Sequence, residues 1–166
     1  NMKRLNEAFE GRVIALPAQD AMPDAVFVED VALVFVEVAV MTRPGAESRR
    51  GEGASVAEAL RNYRTLKRIE APATLDGGDV LRVGRAIYVG ESARSNANGI
   101  DQLRAHLAVF GYTVQGVPTR DCLHLKSAAT QVADDTLLIQ PEWVDRDAFA
   151  GDRLIDVGTG AGFPGL

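Results

Sequence analysis

Acidic side chains lie among apolar residues near the start of the chain, in PDAVFVEDVALVF at residues 23–35. Asp24, Glu29 and Asp30 sit in or beside a run that is otherwise typical of a buried strand. In a straight strand from 24 to 30, Asp24 and Asp30 would lie roughly 20 Å apart, because each residue advances about 3.3 Å. That separation excludes a shared-proton dyad. The acids are therefore either edge and turn carboxylates or part of a site for a cation.

Two further motifs carry residue types that suit acid–base chemistry. DGGD, at 76–79, is interpreted either as a hairpin turn with a capping carboxylate or as part of the same site. HLKS, at 124–127, contains His124, and Cys122 lies two residues before it. A cysteine–histidine nucleophile pair is one interpretation, but adjacent positions on one face of a strand leave little room for a substrate.

Arginines recur in two polar loops, Arg49 in ESRR and Arg94 in ESAR. Guanidinium groups bind carboxylates through two parallel hydrogen bonds, so these arginines are either solvated surface residues or anchors for an acidic group. Acids in one set of loops and arginines in another suit a ligand with a cationic head and a carboxylate tail. An amino acid such as arginine, or a derivative of it, fits that description.

The first predicted strand beside these residues is VALVFVEVAVMT at 31–42, because its β-branched residues are typical of a buried strand. SVAEALRNYRTL, at 55–66, has apolar residues at helical spacing, and Ser55 and Glu58 match an S-x-x-E capping box. We therefore predict an amphipathic helix over that stretch. RIEAP, at 68–72, predicts a short strand that ends at a proline.

A second stretch repeats this order of elements. DVLRV and AIYVG are predicted strands, joined by a tight turn at Gly84 and Arg85. IDQLRAHLAVFG, at 100–111, predicts a helix that stops at Gly111, and YTVQGVPT predicts the next strand. Two more strands are expected around the turn at Asp134 and Asp135.

The recurring order indicates an internal repeat. Asp30 and Asp79 are 49 positions apart, Arg49 and Arg94 are 45 apart, and a third unit begins near His124. A period in this range is typical of supersecondary units packed side by side. We therefore predict an α/β fold, a propeller-like ring of ββαβ repeats. Equivalent loops of such a ring would bring the acids and His124 toward one shared centre.

Composition limits the class of protein. The 166 residues carry a net charge of −5 and no basic patch, which argues against nucleic acid as a partner. No apolar run reaches the length of a membrane span. One cysteine, Cys122, excludes an internal disulfide and suits a reducing compartment, so we expect a cytoplasmic protein.

The chain resembles the dimethylarginine dimethylaminohydrolase family over residues 16–157. The resemblance is carried, in order, by PDAVFVED, TRPGAESRRGE, LDGGDVLRVG, YVGESARSNANG and CLHLKS. That family belongs to the guanidino-group-modifying enzymes, which include arginine deiminase and the amidinotransferases. The resemblance implies the pentein fold, a five-bladed α/β propeller with its site on the axis, of which this chain would supply about three blades.

The resemblance also implies a reaction and its residues. A cysteine thiolate attacks the guanidinium carbon of dimethylarginine, dimethylamine leaves, and water then releases citrulline, with no metal and no cofactor. His124 is implied as the general acid and base, with Asp76 as the carboxylate that orients it. The implied substrate-binding residues are Asp24, Phe27, Glu29 and Asp30 at the guanidinium, and Arg49 and Arg94 at the amino-acid end.

One departure from the family concerns the nucleophile. The family cysteine lies near the C-terminus of a longer chain, and Cys122 of CLHLKS does not match it. Residues 1–157 are therefore interpreted as a partial, truncated domain that is not expected to turn over substrate alone. A non-catalytic binder of guanidino ligands is the alternative. The expected partner is a small guanidino molecule, and the sequence leaves open whether two copies form a homodimer.

A second departure is the ending DVGTGAGFPG, at 156–165, which is similar to the first motif of class I methyltransferases. A strand followed by G-x-G-x-G cradles a nucleotide when a helix and a downstream acid follow it. Neither follows within the 166 residues. Residues 158–166 are therefore interpreted as a glycine-rich tail, with a fragment of an S-adenosylmethionine-dependent methyltransferase as the less favoured alternative.

Overall fold

The computed structural model describes residues 13–156, which form three sheets of three strands each. Every sheet is built in the same way: two consecutive strands pair antiparallel, and a third strand then pairs in parallel with the second. The predicted α/β class and the repeated order of elements are confirmed. The tail at 158–166 and the predicted domain boundary at 157 lie outside the described residues.

The first sheet contains β1 (Ala32–Val34), β2 (Val38–Met41) and β3 (Thr65–Arg68). A bend at Val36 and Glu37 divides the single strand predicted over 31–42, and the N–H of Phe35 donates to the carbonyl of Val38. The apolar run continues through the bend because Phe35 is itself buried in the core. Local composition therefore could not show where the strand divides.

Two short helices belong to the first sheet, α1 (Val28–Val31) before β1 and α2 (Gly53–Leu60) between β2 and β3. Helix α2 was predicted to extend to residue 66 but ends at Leu60. Strand β3 begins at Thr65, three residues earlier than predicted, because it pairs in parallel with β2. The predicted capping box is also wrong. Ser55 lies inside α2, where its hydroxyl accepts a hydrogen bond from the side chain of Gln19.

The second sheet contains β4 (Val80–Val83), β5 (Ala86–Glu91) and β6 (Thr113–Pro118), with helix α3 (Ala97–Ala108) between β5 and β6. Gly84 has a φ of +58° in the two-residue turn between β4 and β5, as predicted. Helix α3 begins three residues before its predicted start, because Oδ1 of Asn96 accepts the N–H of Gly99 at 2.9 Å and caps it.

The third sheet contains β7 (Ala129–Ala133), β8 (Thr136–Ile139) and β9 (Arg153–Asp156), and a short helix α4 (Leu125–Ala128) precedes it. A 3-10 turn at Arg146–Phe149 occupies the place that an α-helix takes in the first two units. The third unit therefore keeps the strand order of the repeat but not its helix.

The second sheet lies between two apolar clusters. Ile87 and Val89 of β5 face a cluster that includes Leu103 of α3, whereas Tyr88 faces a second cluster with Phe149. Successive side chains of a strand point to opposite faces, so β5 contributes to both clusters. This packing holds the three sheets together and brings the segments before β1, β4 and β7 into contact. Across 13–156, the structure has no helix long and apolar enough to span a membrane.

Candidate active site

The acids at the start of the chain lie on two helical turns. A 3-10 turn at Pro23–Val26 leads into α1, so the predicted strand through 24–30 is wrong. Pro23 supplies a φ that suits the first position of a helical turn. The turn places Glu29 at the surface and leaves Asp30 only 8% exposed. Neighbouring acids in the sequence therefore have different surroundings.

Asp30 connects the first two units. Its Oδ1 accepts the N–H of Gly78 at 2.8 Å, and its Oδ2 accepts a hydrogen bond from Nη1 of Arg49 at 2.8 Å. The carboxylate is thus held on one side by the DGGD segment and on the other by a guanidinium. Both contacts fix the orientation of the carboxylate.

Arg49 is buried against two acids. Its Nε and Nη2 donate to Glu52 at 3.0 and 2.8 Å, and Nη2 also donates to the carbonyl of Asp24 at 3.2 Å. The hydrogen bonds to Glu52, and then those to Asp30, raise the pKa of Arg49 and keep it cationic. Its predicted contact with the amino-acid end of a substrate stays a prediction, since the guanidinium is directed at Glu52 and Asp30.

Glu52 was not identified from the sequence. It is 2% exposed and lies three residues after Arg49, a spacing at which an arginine and a glutamate meet within one helical turn. The R-x-x-E pattern was therefore the available signal. The same pattern is common on solvated helices, so the sequence did not show that this pair is buried.

His124 and Asp76, the predicted acid–base pair, lie in hydrogen-bond contact. Nε2 of His124 lies 3.3 Å from Oδ2 of Asp76, and the other carboxylate oxygen accepts the N–H of Gly45 at 2.9 Å. Asp76 is fully buried. The hydrogen bond to Asp76 raises the pKa of His124, and the nearby charges of Asp79 and Asp30 act in the same direction, against the effect of burial.

A cavity of about 420 Å³ opens in front of this pair. Its lining residues are Val26, Phe27, Val28, Glu29, Asp30, Gly78, His124, Lys126 and Ser127. Phe27, Glu29, Asp30 and His124, all predicted site residues, therefore meet at one place. Hollows of about 540 and 490 Å³ lie elsewhere on the described part of the chain, but they contain none of the predicted site residues.

Lys126 is a lining residue that was not predicted. Its ammonium contacts the carboxylate of Glu29 across the cavity. Burial lowers the pKa of Lys126 to about 8. The sequence signal that could have identified Lys126 as a lining residue was its position two residues after His124.

Asp24 and Arg94 do not line the cavity. Asp24 is exposed, and its carbonyl is bound to Arg49. The backbone of Arg94 packs against Gly45, where an added Cβ would lie 2.6 Å from the Arg94 Cα. The Arg94 loop is therefore in contact with the loop whose amide binds Asp76. The substrate contacts of both residues stay predictions.

Cys122 lies outside the cavity and packs against the second apolar cluster. Residues 121–124 form bends, so Cys122 and His124 do not share the strand that the cysteine–histidine pair would require. Burial, followed by the charges of Asp79 and Asp121, raises the pKa of the thiol. Such a thiol is a poor nucleophile at neutral pH.

One ligand atom from each of Asp30, Asp76 and His124 lies within 4.8 Å of the others, a spacing that could surround a cation. The Asp30 oxygens already accept hydrogen bonds from Gly78 and from the guanidinium of Arg49. That guanidinium places a positive charge beside the group and makes a metal ion unfavourable there.

No protein-family model matches the chain. Curated proteins do match it, and two of them are named N(G),N(G)-dimethylarginine dimethylaminohydrolase. The one from Streptomyces coelicolor is 51% identical over 123 residues, which are 74% of this chain and 47% of that protein. The one from Pseudomonas aeruginosa is 39% identical over 147 residues, which are 87% of this chain and 58% of that protein.

A solved structure gives the same result. A cysteine-to-serine mutant of the Pseudomonas aeruginosa enzyme, complexed with citrulline, is 36% identical and superposes with a TM-score of 0.84 over 95% of this chain and 64% of that chain. The chain spans about half the length of the curated relatives it matches. It belongs to the dimethylarginine dimethylaminohydrolase family, within the guanidino-group-modifying enzymes of the pentein α/β propeller fold.

Proposed function

We propose that this protein acts on methylated arginines and hydrolyses N-ω,N-ω-dimethyl-L-arginine to citrulline and dimethylamine. The observation that carries the proposal is the convergence of Glu29, Asp30 and His124 on one cavity, with Asp76 in contact with His124. Family membership supports it, as does the citrulline bound to the relative from Pseudomonas aeruginosa. A cytoplasmic location and a homodimer stay predictions.

The carboxylates would bind the substrate guanidinium, which is resonance-stabilised and a poor electrophile. Glu29 at the rim and Asp30 at the wall keep the group cationic and fix its orientation. Substrate would compete with Lys126 for Glu29, because both offer a positive charge to the same carboxylate. On binding, the substrate guanidinium would therefore replace the Lys126 ammonium beside Glu29 at the rim of the cavity.

His124 would move the protons of both chemical steps. A thiolate attacks the guanidinium carbon, a C–S bond forms, and dimethylamine leaves with a proton from the His124 imidazolium. Water then attacks the thiouronium carbon and gives one proton to the neutral imidazole. As the C–S bond breaks, the second water proton passes to solvent, where the released dimethylamine takes it up. This returns the thiolate and leaves citrulline. Asp76 favours the imidazolium form, since its hydrogen bond raises the pKa of His124.

The attacking thiolate is proposed to come from a residue other than Cys122. The sequence holds one cysteine, and its thiol packs in an apolar cluster instead of lining the cavity. This observation favours a second candidate function for these 166 residues on their own, a guanidino-ligand binder that performs no chemistry. The two candidates share the same binding site and differ in turnover.

Calorimetry tests the shared binding site. We expect dimethylarginine to bind with a Kd between about 1 μM and 1 mM, the usual range for enzyme substrates. Glu29→Gln should weaken binding about tenfold, because one charge-assisted hydrogen bond is lost. Glu58→Gln, in an exposed pair on α2, is the matched control and should bind normally. Absence of binding by every methylarginine and by citrulline would contradict the proposal.

Citrulline production separates the enzyme from the binder. We expect none from the 166 residues alone, and production from a longer chain that supplies the family's cysteine. Turnover by the 166 residues alone would show that the proposed origin of the thiolate is wrong. Cys122→Ser in that active protein would then identify the nucleophile directly.

A further inference from the structure

Asp79 is a fully buried carboxylate that does not line the cavity described above. Its Oδ1 accepts the N–H of Leu125 at 2.9 Å. Its Oδ2 accepts the hydroxyl protons of Ser92 and Ser95 at 2.7 and 2.6 Å. Burial raises the pKa of Asp79, whereas these three hydrogen bonds oppose that rise and favour the ionised form.

These hydrogen bonds lead to both members of the acid–base pair. Leu125 directly follows His124, so the Oδ1 contact holds the backbone that carries the imidazole. Ser95 donates to Asp79 and in turn accepts the N–H of Asp76 at 3.0 Å. A single carboxylate is therefore connected to His124 through one hydrogen bond and to Asp76 through two.

A comparison of the first two units indicates the role of the Asp79 hydrogen bonds. Asp30 and Asp79 occupy matching places ahead of β1 and β4, and each accepts an amide of the next unit, at Gly78 and Leu125 respectively. Asp30 is paired with the guanidinium of Arg49. Within 13–156, no lysine or arginine forms an ion pair with Asp79, and its charge acts on His124.

We propose that Asp79 is a positioning residue for the His124–Asp76 pair, which it holds in register through Leu125 and Ser95 while its negative charge favours the imidazolium. The significance of this role rests on the proposed function, in which that pair moves the protons. The geometry itself does not depend on turnover, so the role can be tested without any enzymatic activity.

The test is an NMR titration of the His124 imidazole in the full 166-residue chain, with His106→Gln used to assign the two histidine signals. Three carboxylates influence the imidazole: Asp30, Asp76 and Asp79. Asp79→Asn keeps the shape of the side chain and removes one of the three charges. We expect the His124 midpoint to move to lower pH, since the imidazolium loses a stabilising anion.

Asp101→Asn is the matched control, because Asp101 is an exposed acid that pairs with Arg104 on α3 of the same unit. It should leave the His124 midpoint unchanged. A folded Asp79→Asn variant, verified by circular dichroism, with the wild-type His124 midpoint would overturn the proposal.

A second pair of variants applies where Asp79→Asn does not fold. Ser92→Ala and Ser95→Ala each remove one hydroxyl from Asp79, but only Ser95 also binds the N–H of Asp76. We expect Ser95→Ala to lower the His124 midpoint more than Ser92→Ala. Equal shifts in the two variants would also overturn the proposal, because the connection to Asp76 would then have no effect.

Calorimetry with dimethylarginine on the same wild-type sample separates the two proposals. Where the His124 midpoint responds as expected and no guanidino ligand binds, the positioning role stands and the proposed function fails. Where ligands bind and the midpoint of folded Asp79→Asn does not move, the proposed function stands and the positioning role fails.

Discussion

Oδ1 of Asp30 accepts a hydrogen bond from the N–H of Gly78 at 2.8 Å, across 48 positions of the chain. Gly78 also lies against the ring of His124. A Cβ added to Gly78 would lie 2.6 Å from Nδ1 of His124 and 2.9 Å from Oδ1 of Asp30. The acid and the histidine therefore approach each other closely because the residue between them has no side chain.

Gly78→Ala should disrupt this contact. The added methyl group has no space on the imidazole side, so we expect a loss of about 1–3 kcal/mol in the free energy of unfolding. Urea denaturation measures that loss, and calorimetry should show weaker binding of dimethylarginine. Gly53→Ala is the control, since its Cβ would meet Met41 at an ordinary 3.4 Å. A Gly78→Ala protein with wild-type stability and binding would show that the close approach is unimportant.

Two arginine–glutamate pairs at the same spacing differ in burial, and their variants should differ accordingly. Glu52→Ala leaves the buried guanidinium of Arg49 with Asp30 as its remaining acid, so we expect a loss of about 3–5 kcal/mol. Glu58→Ala removes an exposed partner of Arg61 and should cost less than about 0.5 kcal/mol. Chemical denaturation of both variants gives the comparison. Similar losses of stability in Glu52→Ala and Glu58→Ala would show that burial does not determine the cost of removing the glutamate.

The His124–Asp76 contact should make stability depend on pH. The hydrogen bond raises the pKa of His124, so the folded protein binds this proton more tightly than the unfolded chain. The stabilisation is complete below the ordinary histidine pKa and is lost as pH rises through the raised value. Between about pH 6 and 8, the free energy of unfolding should therefore fall more steeply in wild type than in His124→Gln. Parallel pH dependences would refute this.

Cys122 should be dispensable for ligand binding. We expect Cys122→Ser to bind dimethylarginine within about twofold of wild type, because the thiol packs outside the cavity. Burial raises the pKa of the thiol, so alkylation by iodoacetamide should accelerate at a higher pH than it does for an exposed cysteine. Loss of binding in Cys122→Ser, or rapid alkylation at neutral pH, would place the thiol in the site instead.

The repeat could be predicted from the sequence because the spacing of acids and arginines follows the order of the strands. Asp30 and Asp79 do precede matching pairs of strands, and His124 does precede the third. The helical turn at Val28–Val31 could not be predicted, since its residues lead directly into a β-branched run that is typical of a buried strand. Its helical form places Asp30 between Gly78 and Arg49, contacts that are distant in sequence.

The pairing of site residues was likewise only partly visible in the sequence. The family resemblance implied that His124 and Asp76 are partners, and the structure brings them to 3.3 Å. The role of Arg49 was less clear, because a loop arginine has the same appearance whether it faces solvent, a ligand or a buried acid. Long-range contacts with Asp30 decide between these, and local patterns do not contain them.

The contacts of Asp30 and Asp79 both run in one direction along the chain. Each carboxylate belongs to one unit and accepts a hydrogen bond from an amide of the following unit, at Gly78 and at Leu125 respectively. Ala128 stands directly before β7, where Asp79 stands before β4, so the third unit presents no such carboxylate. Because synthesis proceeds from the N-terminus, each acid is already in place when its amide leaves the ribosome. Each contact between units can therefore form as soon as the following unit has been synthesised.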